Sequence, residues 1–298
     1  MTSSTSSTLP SQPVATGRSF AAHRLFPVLR LSLRWAQRLG PHRAARVAAG
    51  VFCTPLPTKL AVRHLRPPAG VRVETLPFEN VTLTLYRWPA ATDAPVVLLT
   101  HGWGGWGLQM AALATALQQR GLAPVAVDQP GHGRSEGWQS TLAQFTRAVG
   151  YLGARLGPLH AVVGHSMGGA AALNAIARGL VARSLVTAAS PTDLVQVTRD
   201  YAAAFGLAEA TRGAMVQHIE SREAIVFEQM SAAHQARRVV LPTLLVHDRD
   251  DRVVPVEESL KLNALLPDAR LLLSQGLGHR RVLQDADVVE QVGRFIAG

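Results

Sequence analysis

The sequence predicts an α/β protein built on a mostly parallel, doubly wound β-sheet. From residue 71 onwards, short apolar segments alternate with segments of helical composition, and this alternation is typical of a parallel sheet covered by helices on both faces. The alternation stops at about 192–238, which predicts a helical cap insertion above the carboxyl edge of the sheet. A basic stretch before residue 71 predicts an N-terminal helical appendage.

The length of 298 residues suits one large domain with an appendage. We expect a disordered Ser/Thr/Pro-rich start at 1–17, a basic helical appendage with a Pro-rich connection at 18–70, and the main domain at 71–298. Strands are predicted at 71–76, 81–88, 95–100, 122–127, 159–163, 184–189, 242–247 and 270–274, with helices at 108–120 and 142–156.

The positive charge is concentrated at the N-terminus. The net charge is +10, but no Asp or Glu precedes Glu74, and the rest of the chain is close to neutral. The main domain therefore lacks the electrostatic signature of a nucleic-acid-binding surface. Helices are predicted at 27–39 and 43–52, followed by a stiff, extended connection through the prolines of 55–68.

The first of these helices has an arginine stripe. At 100° per residue, Arg30, Arg34 and Arg38 share one narrow side, and apolar residues cover most of the remainder. Three interpretations remain open: a helix packed on the main domain with its arginines in water, peripheral contact of residues 26–39 with an anionic membrane surface, or an organellar transit segment.

The chain has little that points to secretion or to a membrane span. It contains no uncharged apolar run of 18 residues and no compact apolar signal region. Its single cysteine, Cys53, excludes an intrachain disulfide framework. We expect a cytoplasmic protein that is associated with a membrane only if the arginine-striped helix docks there.

A Gly-x-Ser-x-Gly segment is the most informative stretch of the sequence. Gly164, Ser166 and Gly168 follow a predicted strand and precede good helix sequence. That context is typical of a nucleophile elbow, in which a sharp turn exposes the serine hydroxyl beside a helix N-terminus. Glycines are needed where a Cβ would collide with neighbouring backbone. We therefore predict Ser166 as a nucleophile.

A serine nucleophile needs a base and an acid that orients the base. His279 follows the last predicted strand in a glycine loop, and we predict it as the base. Asp251 follows the strand at 242–247, and we predict it as the acid, although Asp248 and Asp250 are alternatives because turn-forming carboxylates bind local amides.

Other histidines receive structural roles. His165 is expected to point away from the nucleophile that it precedes, and His247 is expected to support the acid loop. His101 is expected to shape the loop that follows its strand rather than act as a base. Asp128, His132 and Ser135 are expected to stabilise the loop after the next strand.

An oxyanion formed during acyl transfer needs amide donors. The amides of Trp103, in a glycine-rich loop after the strand at 95–100, and of Met167, directly after Ser166, are the predicted donors. The substrate pocket should be apolar, and its candidate residues are Trp106, Trp138, Met215 and Phe227.

Four separated motifs together resemble the α/β-hydrolase family, in particular its serine-hydrolase branch with a small helical cap. They are 101–104 (HGWG), 128–135 (DQPGHGRS), 164–169 (GHSMGG), and Asp251 followed by Val254-Pro255 with Gly278-His279. The resemblance covers residue 71 to the C-terminus. It implies the same three catalytic residues and the same oxyanion donors, and it implies nothing about the first 70 residues.

These inferences predict a serine hydrolase that cleaves a carboxylic ester of small to medium hydrophobic character. Thioester, amide and carbon–carbon bond hydrolysis are alternatives on the same residues. A non-catalytic membrane-surface or partner-binding module is an alternative of a different class. The sequence shows no dinucleotide fingerprint and no metal-ligand spacing, so no cofactor, metal or nucleic-acid partner is expected.

Overall fold

A computed structural model describes residues 26–38, 40–55 and 58–298. The expected disorder at 1–17, the start of the appendage and Leu39 at the end of the first predicted helix lie outside the described residues.

The described residues form an α/β fold with one eight-stranded sheet in the order β1-β2-β4-β3-β5-β6-β7-β8. Strands β1 and β2 run antiparallel to their neighbours, and β3 to β8 are parallel. The bounds are β1 Arg72–Phe78, β2 Val81–Arg87, β3 Val96–Thr100, β4 Ala123–Asp128, β5 Leu159–His165, β6 Ala182–Ala188, β7 Thr243–Asp248 and β8 Ala269–Ser274. All eight predicted strands are present, and their ends shift by up to two residues.

The helices surround this sheet and extend above its carboxyl edge. Their bounds are α1 Phe26–Arg38, α2 Pro41–Phe52, α3 Thr58–Val62, α4 Ala111–Gln119, α5 Leu142–Leu156, α6 Met167–Ala177, α7 Leu194–Phe205, α8 Glu209–Glu223, α9 Ala232–Gln235, α10 Glu257–Leu265, α11 Gly278–Arg281 and α12 Ala286–Ala297. The predicted helix at 108–120 begins as a 3₁₀ turn, Gly107–Met110.

Two apolar cores lie on opposite faces of the sheet, which confirms the doubly wound fold. Alternate residues of β3 separate to the two sides, with Leu98 in the core under α5 and α6, and Val97 and Leu99 in the core under α4 and α12. A strand buried on both faces reads as a continuous apolar run, as β3 does.

The appendage and the insertion pack together as one cap. Helix α2 lies along α8, and α1 contacts α2 and α7. Leu33 of α1 is fully buried with Tyr201, Phe205 and Met215 of the insertion. The rings of Phe52 and Tyr201 are 5.0 Å apart. The first interpretation of the basic helix, packing on the main domain, therefore holds for its inner face.

The sequence suggested an extended Pro-rich connection, but the structure shows that it is not extended throughout. Helix α3 forms within it, and Lys59 Nζ donates to the carbonyl oxygens of Ser135 (2.5 Å) and Gly137 (2.6 Å). These tertiary contacts stabilise a helical turn that the flanking prolines alone would not predict. Among the described residues, no helix combines the length and the apolarity that crossing a membrane requires.

Candidate active site

Ser166 stands at the sharp turn between β5 and α6. Its φ of 52° and ψ of −124° are strained for a residue with a side chain. A Cβ on Gly164 would lie 2.4 Å from Gly169 Cα, and one on Gly168 would lie 2.4 Å from the His101 carbonyl oxygen. The turn can therefore close only with glycine at both positions, as expected for a nucleophile elbow.

The loop after β3 presses against this serine. A Cβ on Gly102 would lie 2.6 Å from Ser166 Cβ and 3.2 Å from its Oγ. Trp103 and Met167 line the same cavity as Ser166. Because Met167 is the first residue of α6, its amide has no acceptor within the helix. Both residues whose amides are the predicted oxyanion donors thus line the cavity that Ser166 lines.

His279 and Asp251 form a hydrogen-bonded pair. His279 Nδ1 is 2.8 Å from Asp251 Oδ2, and Asp251 Oδ1 accepts from the amides of Val253 (2.7 Å) and Val254 (3.0 Å). Burial raises the pKa of Asp251, but hydrogen bonds from His247 and His279 lower it by more, so the net pKa lies well below the ordinary value. The carboxylate stays charged and orients the imidazole.

The two rival carboxylates serve the loop that carries His279. Asp248 accepts from the amides of Leu277 (3.0 Å) and Gly278 (2.9 Å), and Asp250 accepts from the Gly276 amide (3.0 Å). Neither has a hydrogen bond to the His279 ring among the described residues. The sequence expected them to bind local amides, and one such contact is present, from the Asp250 amide to Asp248 Oδ1 (3.0 Å). Their other contacts are to the distant loop that carries His279, because the two loops pack together.

The acid loop has the support that the sequence assigned to His247. Its Nε2 donates to the Val254 carbonyl oxygen (3.0 Å), and its Nδ1 is 2.6 Å from Ser259 Oγ. The same Nε2 lies 3.5 Å from Asp251 Oδ2. The loop is therefore held by His247 as well as by His279.

Ser166 and His279 line one cavity, but no hydrogen bond joins them in the part of the chain that the structure describes. Catalytic hydrogen bonds are often long or misaligned before substrate binds. Ser166 and His279 therefore meet at one cavity, and Asp251 is connected to it through its hydrogen bond to His279.

The sequence suggested that His165 points away from the site, but the structure places its side chain against His279. Its ring centroid is 4.6 Å from that of His279, and its Nε2 donates to the His279 carbonyl oxygen at 2.8 Å. Burial, followed by the charge of His279, lowers the pKa of His165 to about 3. The alternation of β5 accounts for this position, because Ala161 and Val163 face the core that also holds Val282 and Leu283, on the side of the His279 loop.

Two buried histidines and Asp128 order the loops on the other side of Ser166. His101 Nε2 accepts from the Gln129 amide (3.0 Å), and His132 Nε2 accepts from the Gly104 amide (3.1 Å). Asp128 accepts from the amides of Gly107 and Arg134 and from the Tyr86 hydroxyl. Burial lowers the pKa of both histidines. These are loop-stabilising roles, as expected.

The cavity in front of Ser166 has a volume of about 720 Å³ and lies between the sheet edge and the cap. Of the four predicted pocket residues, Phe227 lines it. Met215 is fully buried in the cap core, and Trp138 is 63% exposed with Lys59 Nζ over its ring at 5.1 Å. Trp106 lines a neighbouring cavity of about 390 Å³.

Sequence reasoning missed several lining residues. Phe52 reaches the cavity from the appendage, and three arginines lie at its wall: Arg252, Arg280 and Arg281. The arginines follow Asp251 and His279 directly in the sequence, which is the signal that could have found them. No such signal exists for Phe52, because its position depends on how the cap packs. The described residues contain no cluster of metal-binding side chains.

Comparison with known proteins agrees with this geometry. The sequence model of the α/β-hydrolase family matches residues 96–292. The chain is similar to a non-heme haloperoxidase of Rhodococcus erythropolis, with 26% identity over 65% of this chain and 88% of that protein. It is also similar to a bifunctional esterase/perhydrolase of Acinetobacter calcoaceticus, with 25% identity over 67% of this chain and 90% of that protein.

Solved structures share the fold. A membrane phospholipase A, a bacterial virulence factor, superposes with a TM-score of 0.60 at 19% identity over 91% of this chain and 96% of that chain. The family match covers β3 to β8, the elbow and both loops that hold Asp251 and His279. The chain therefore belongs to the α/β-hydrolase family.

Proposed function

We propose that this protein is a serine hydrolase that cleaves a carboxylic ester through an acyl-enzyme. The observation that supports the proposal best is the pairing of His279 with Asp251 at 2.8 Å, at the cavity that also exposes Ser166. The fold does not need this buried pair for its stability, because burying a charge is costly even when the charge has partners. The presence of the pair beside Ser166 therefore favours a catalytic role.

The chemistry follows from the contacts. Asp251 holds Nδ1 of His279 protonated, which leaves Nε2 as the basic atom. Nε2 takes the proton of Ser166, and Oγ attacks the acyl carbonyl. The amides of Trp103 and Met167 stabilise the tetrahedral oxyanion. His279 then protonates the leaving alcohol, and water attacks the acyl-enzyme by the same route and restores the Ser166 hydroxyl.

The cavity supports a small to medium hydrophobic acyl group. Its walls include Leu142, Ile219, Ile225, Phe227 and Met230, and pockets of a few hundred Å³ bury most of a ligand of that size. The esterase activity named for the Acinetobacter calcoaceticus relative favours an ester. Thioesters, amides and carbon–carbon bonds meet the same three side chains, and a substrate panel would rank them.

Fluorophosphonate labelling and p-nitrophenyl ester hydrolysis test the proposal together. We expect the wild type to be labelled at Ser166 and to turn over, and Ser166→Ala to lose both while remaining folded. Ser184→Ala, on β6 and away from the cavity, is the matched control and should keep both. Ester turnover retained by Ser166→Ala, or folded wild type that neither labels nor turns over, would contradict the proposal.

We also propose that the outer face of α1 contacts an anionic membrane surface. Val28, Leu31 and Trp35 are 63%, 58% and 58% exposed, opposite the fully buried Leu33. Arg30, Arg34 and Arg38 lie beside this apolar stripe at successive turns. Exposed apolar residues flanked by arginines are typical of helices that lie in the interface of an anionic bilayer.

Liposome co-sedimentation tests the membrane contact. Wild type should pellet with phosphatidylglycerol-containing vesicles, and an Arg30/Arg34/Arg38→Glu variant should not. The matched control changes the exposed Arg155, Arg183 and Arg270 to Glu and should pellet like the wild type. Equal pelleting of the wild type and the α1 variant would contradict the contact. A cytoplasmic location stays a prediction.

A further inference from the structure

The charged side chains that line the active-site cavity are all positive among the described residues. Arg252, Arg280 and Arg281 line it, and no Asp or Glu does so among the described residues. The neighbouring cavity of about 390 Å³ is lined by Arg66 and again by Arg280, also without a described carboxylate. Since residues 74–298 are close to neutral, this local excess is not a consequence of the overall composition of the domain.

The two cavities adjoin at the catalytic histidine. Arg280 and Gln109 line both of them, and Arg280 directly follows His279 in α11. Trp106 forms part of the wall of the second cavity. A group that extends from the reacting carbon past His279 would therefore enter a space bounded by an aromatic ring and two guanidinium groups.

The arginines differ in their freedom to bind a ligand. Arg281 donates to the carbonyl oxygens of Leu277 (2.9 Å) and Gly276 (2.6 Å), so it supports the loop. The side chains of Arg66, Arg252 and Arg280 have no hydrogen bond or ion pair to another described residue, although the Arg280 carbonyl oxygen accepts from the Leu283 amide. Their donors are available, and arginine binds phosphate and carboxylate in a bidentate manner.

The proposed mechanism decides which half of the substrate meets these charges. The acyl group needs the apolar walls under the cap, whereas the leaving group must lie at His279, which protonates it. The leaving group therefore extends towards Arg280 and the second cavity.

We propose that the second cavity, with Arg66 and Arg280, is a subsite for a phosphate on the leaving alcohol or thiol of the acyl substrate. This inference rests on the proposed acyl-enzyme function. A phosphate carries more charge than a carboxylate and offers three acceptor oxygens, which suits two guanidinium groups. The second cavity is also larger than a lone carboxylate requires.

The reaction balances without a further reactant. The bond between the acyl carbon and the leaving oxygen or sulfur breaks, and the phosphorylated alcohol or thiol leaves with the proton that His279 took from Ser166. Water then supplies the oxygen and the proton that release the carboxylic acid and restore the Ser166 hydroxyl.

Two substrate pairs test the subsite and distinguish the source of the phosphate. The ester pair is octanoylglycerol and octanoylglycerol 3-phosphate, and the thioester pair is octanoyl-pantetheine and octanoyl-4′-phosphopantetheine. We expect the phosphorylated member of at least one pair to have a kcat/KM at least about tenfold higher, the factor that one charge-assisted hydrogen bond supplies. The pair that shows the preference identifies the source.

Variants assign the preference to the two arginines. In Arg66→Gln/Arg280→Gln, the ratio of the two kcat/KM values should fall towards one, mainly through KM of the phosphorylated member. High salt should lower the wild-type ratio as well, because the charges are exposed. Arg183→Gln, an exposed arginine at the amino edge of the sheet, is the matched control and should keep the ratio. The neutral member of each pair reports whether a variant is folded.

The outcomes separate the two proposals. Wild type that hydrolyses the neutral substrates without preferring either phosphorylated one would overturn the subsite and leave the hydrolase standing. A preference that survives in the double variant would also overturn it. Wild type that hydrolyses no substrate and is not labelled by fluorophosphonate would overturn both.

Discussion

The imidazole of His165 lies against the imidazole of His279, with ring centroids 4.6 Å apart, and its Nε2 holds the His279 carbonyl oxygen at 2.8 Å. The residue before the elbow serine thus holds the backbone of the proposed base, and Asp251 holds its ring. The His165 Nδ1 atom is buried without a hydrogen-bond partner among the described residues. A neutral ring is consistent with this environment.

Replacing this support should affect turnover more than binding. His165→Phe keeps an aromatic ring but loses the hydrogen bond to the His279 carbonyl oxygen. We therefore expect kcat to fall by about tenfold, the effect of about one hydrogen bond, with KM nearly unchanged. In His165→Asn a donor can remain, and kcat should recover in part. A large rise in KM with unchanged kcat would contradict a positioning role.

The low pKa of His165 predicts the pH dependence of stability. Its folded pKa is about 3, against an ordinary value of 6.5, so the unfolded chain takes up this proton first as pH falls. The stability that neutral His165 contributes is complete above pH 6.5 and is lost progressively down to about 3. Urea unfolding between these limits should show a slope smaller by up to about 1.4 kcal/mol per pH unit in His165→Gln. A slope in His165→Gln equal to that of the wild type would mean that His165 is not buried neutral.

Substitution of Asp251 and of Asp248 in the acid loop should have different effects on kcat and on stability. Asp251→Asn removes the charge that orients His279, and kcat should fall by on the order of 10³- to 10⁴-fold. Some stability is lost as well, because Asp251 accepts from the Val253 and Val254 amides. Asp248→Asn instead weakens hydrogen bonds to the Leu277 and Gly278 amides, which should lower the free energy of unfolding by about 1–3 kcal/mol. Ester kinetics and urea unfolding of both variants check this. A larger loss of kcat in Asp248→Asn would exchange the two roles.

Gly102 tests the close packing at the nucleophile. A methyl group there would overlap Ser166 Cβ at 2.6 Å, so Gly102→Ala should displace the serine and reduce kcat by at least about 10²-fold, as small misplacements of reacting groups do. The matched control is Gly150→Ala in α5, where no atom lies within 4 Å and alanine should stabilise the helix by about 0.5–1 kcal/mol. An unchanged kcat in Gly102→Ala would show that the loop after β3 moves to accommodate the methyl group without displacing Ser166.

Two leucines of α1 test whether the appendage is part of the folded cap. Leu33 is fully buried and Leu31 is 58% exposed on the same helix. Leu33→Ala should lower the free energy of unfolding, or of local unfolding of the cap, by about 2–5 kcal/mol. Leu31→Ala should change it by less than about 0.5 kcal/mol. Hydrogen exchange of α1 and α2 would measure both effects, and equal protection in the two variants would show that the buried contact is not stabilising.

Much of the fold and part of the site follow from local sequence. Continuous apolar runs predict the central strands because a parallel sheet buries both faces of each strand. Gly164, Ser166 and Gly168 predict the elbow because the constraint is steric and lies within a few residues. His279 is predictable because its glycine loop follows the last strand, at the edge where parallel strands place functional side chains.

Other features depended on contacts between distant parts of the chain. Three carboxylates within four residues are equivalent in sequence, and only the placement of the His279 loop decides that Asp251 meets the ring while Asp248 and Asp250 bind its backbone. Likewise, the packing of α2 on α8 brings Phe52 to the cavity, whereas Trp138 remains at the surface. The sequence by itself determined which chemical groups stand at the ends of the strands. Their partners were decided only by the tertiary structure, because side-chain contacts act over a few ångströms and depend on how distant segments pack.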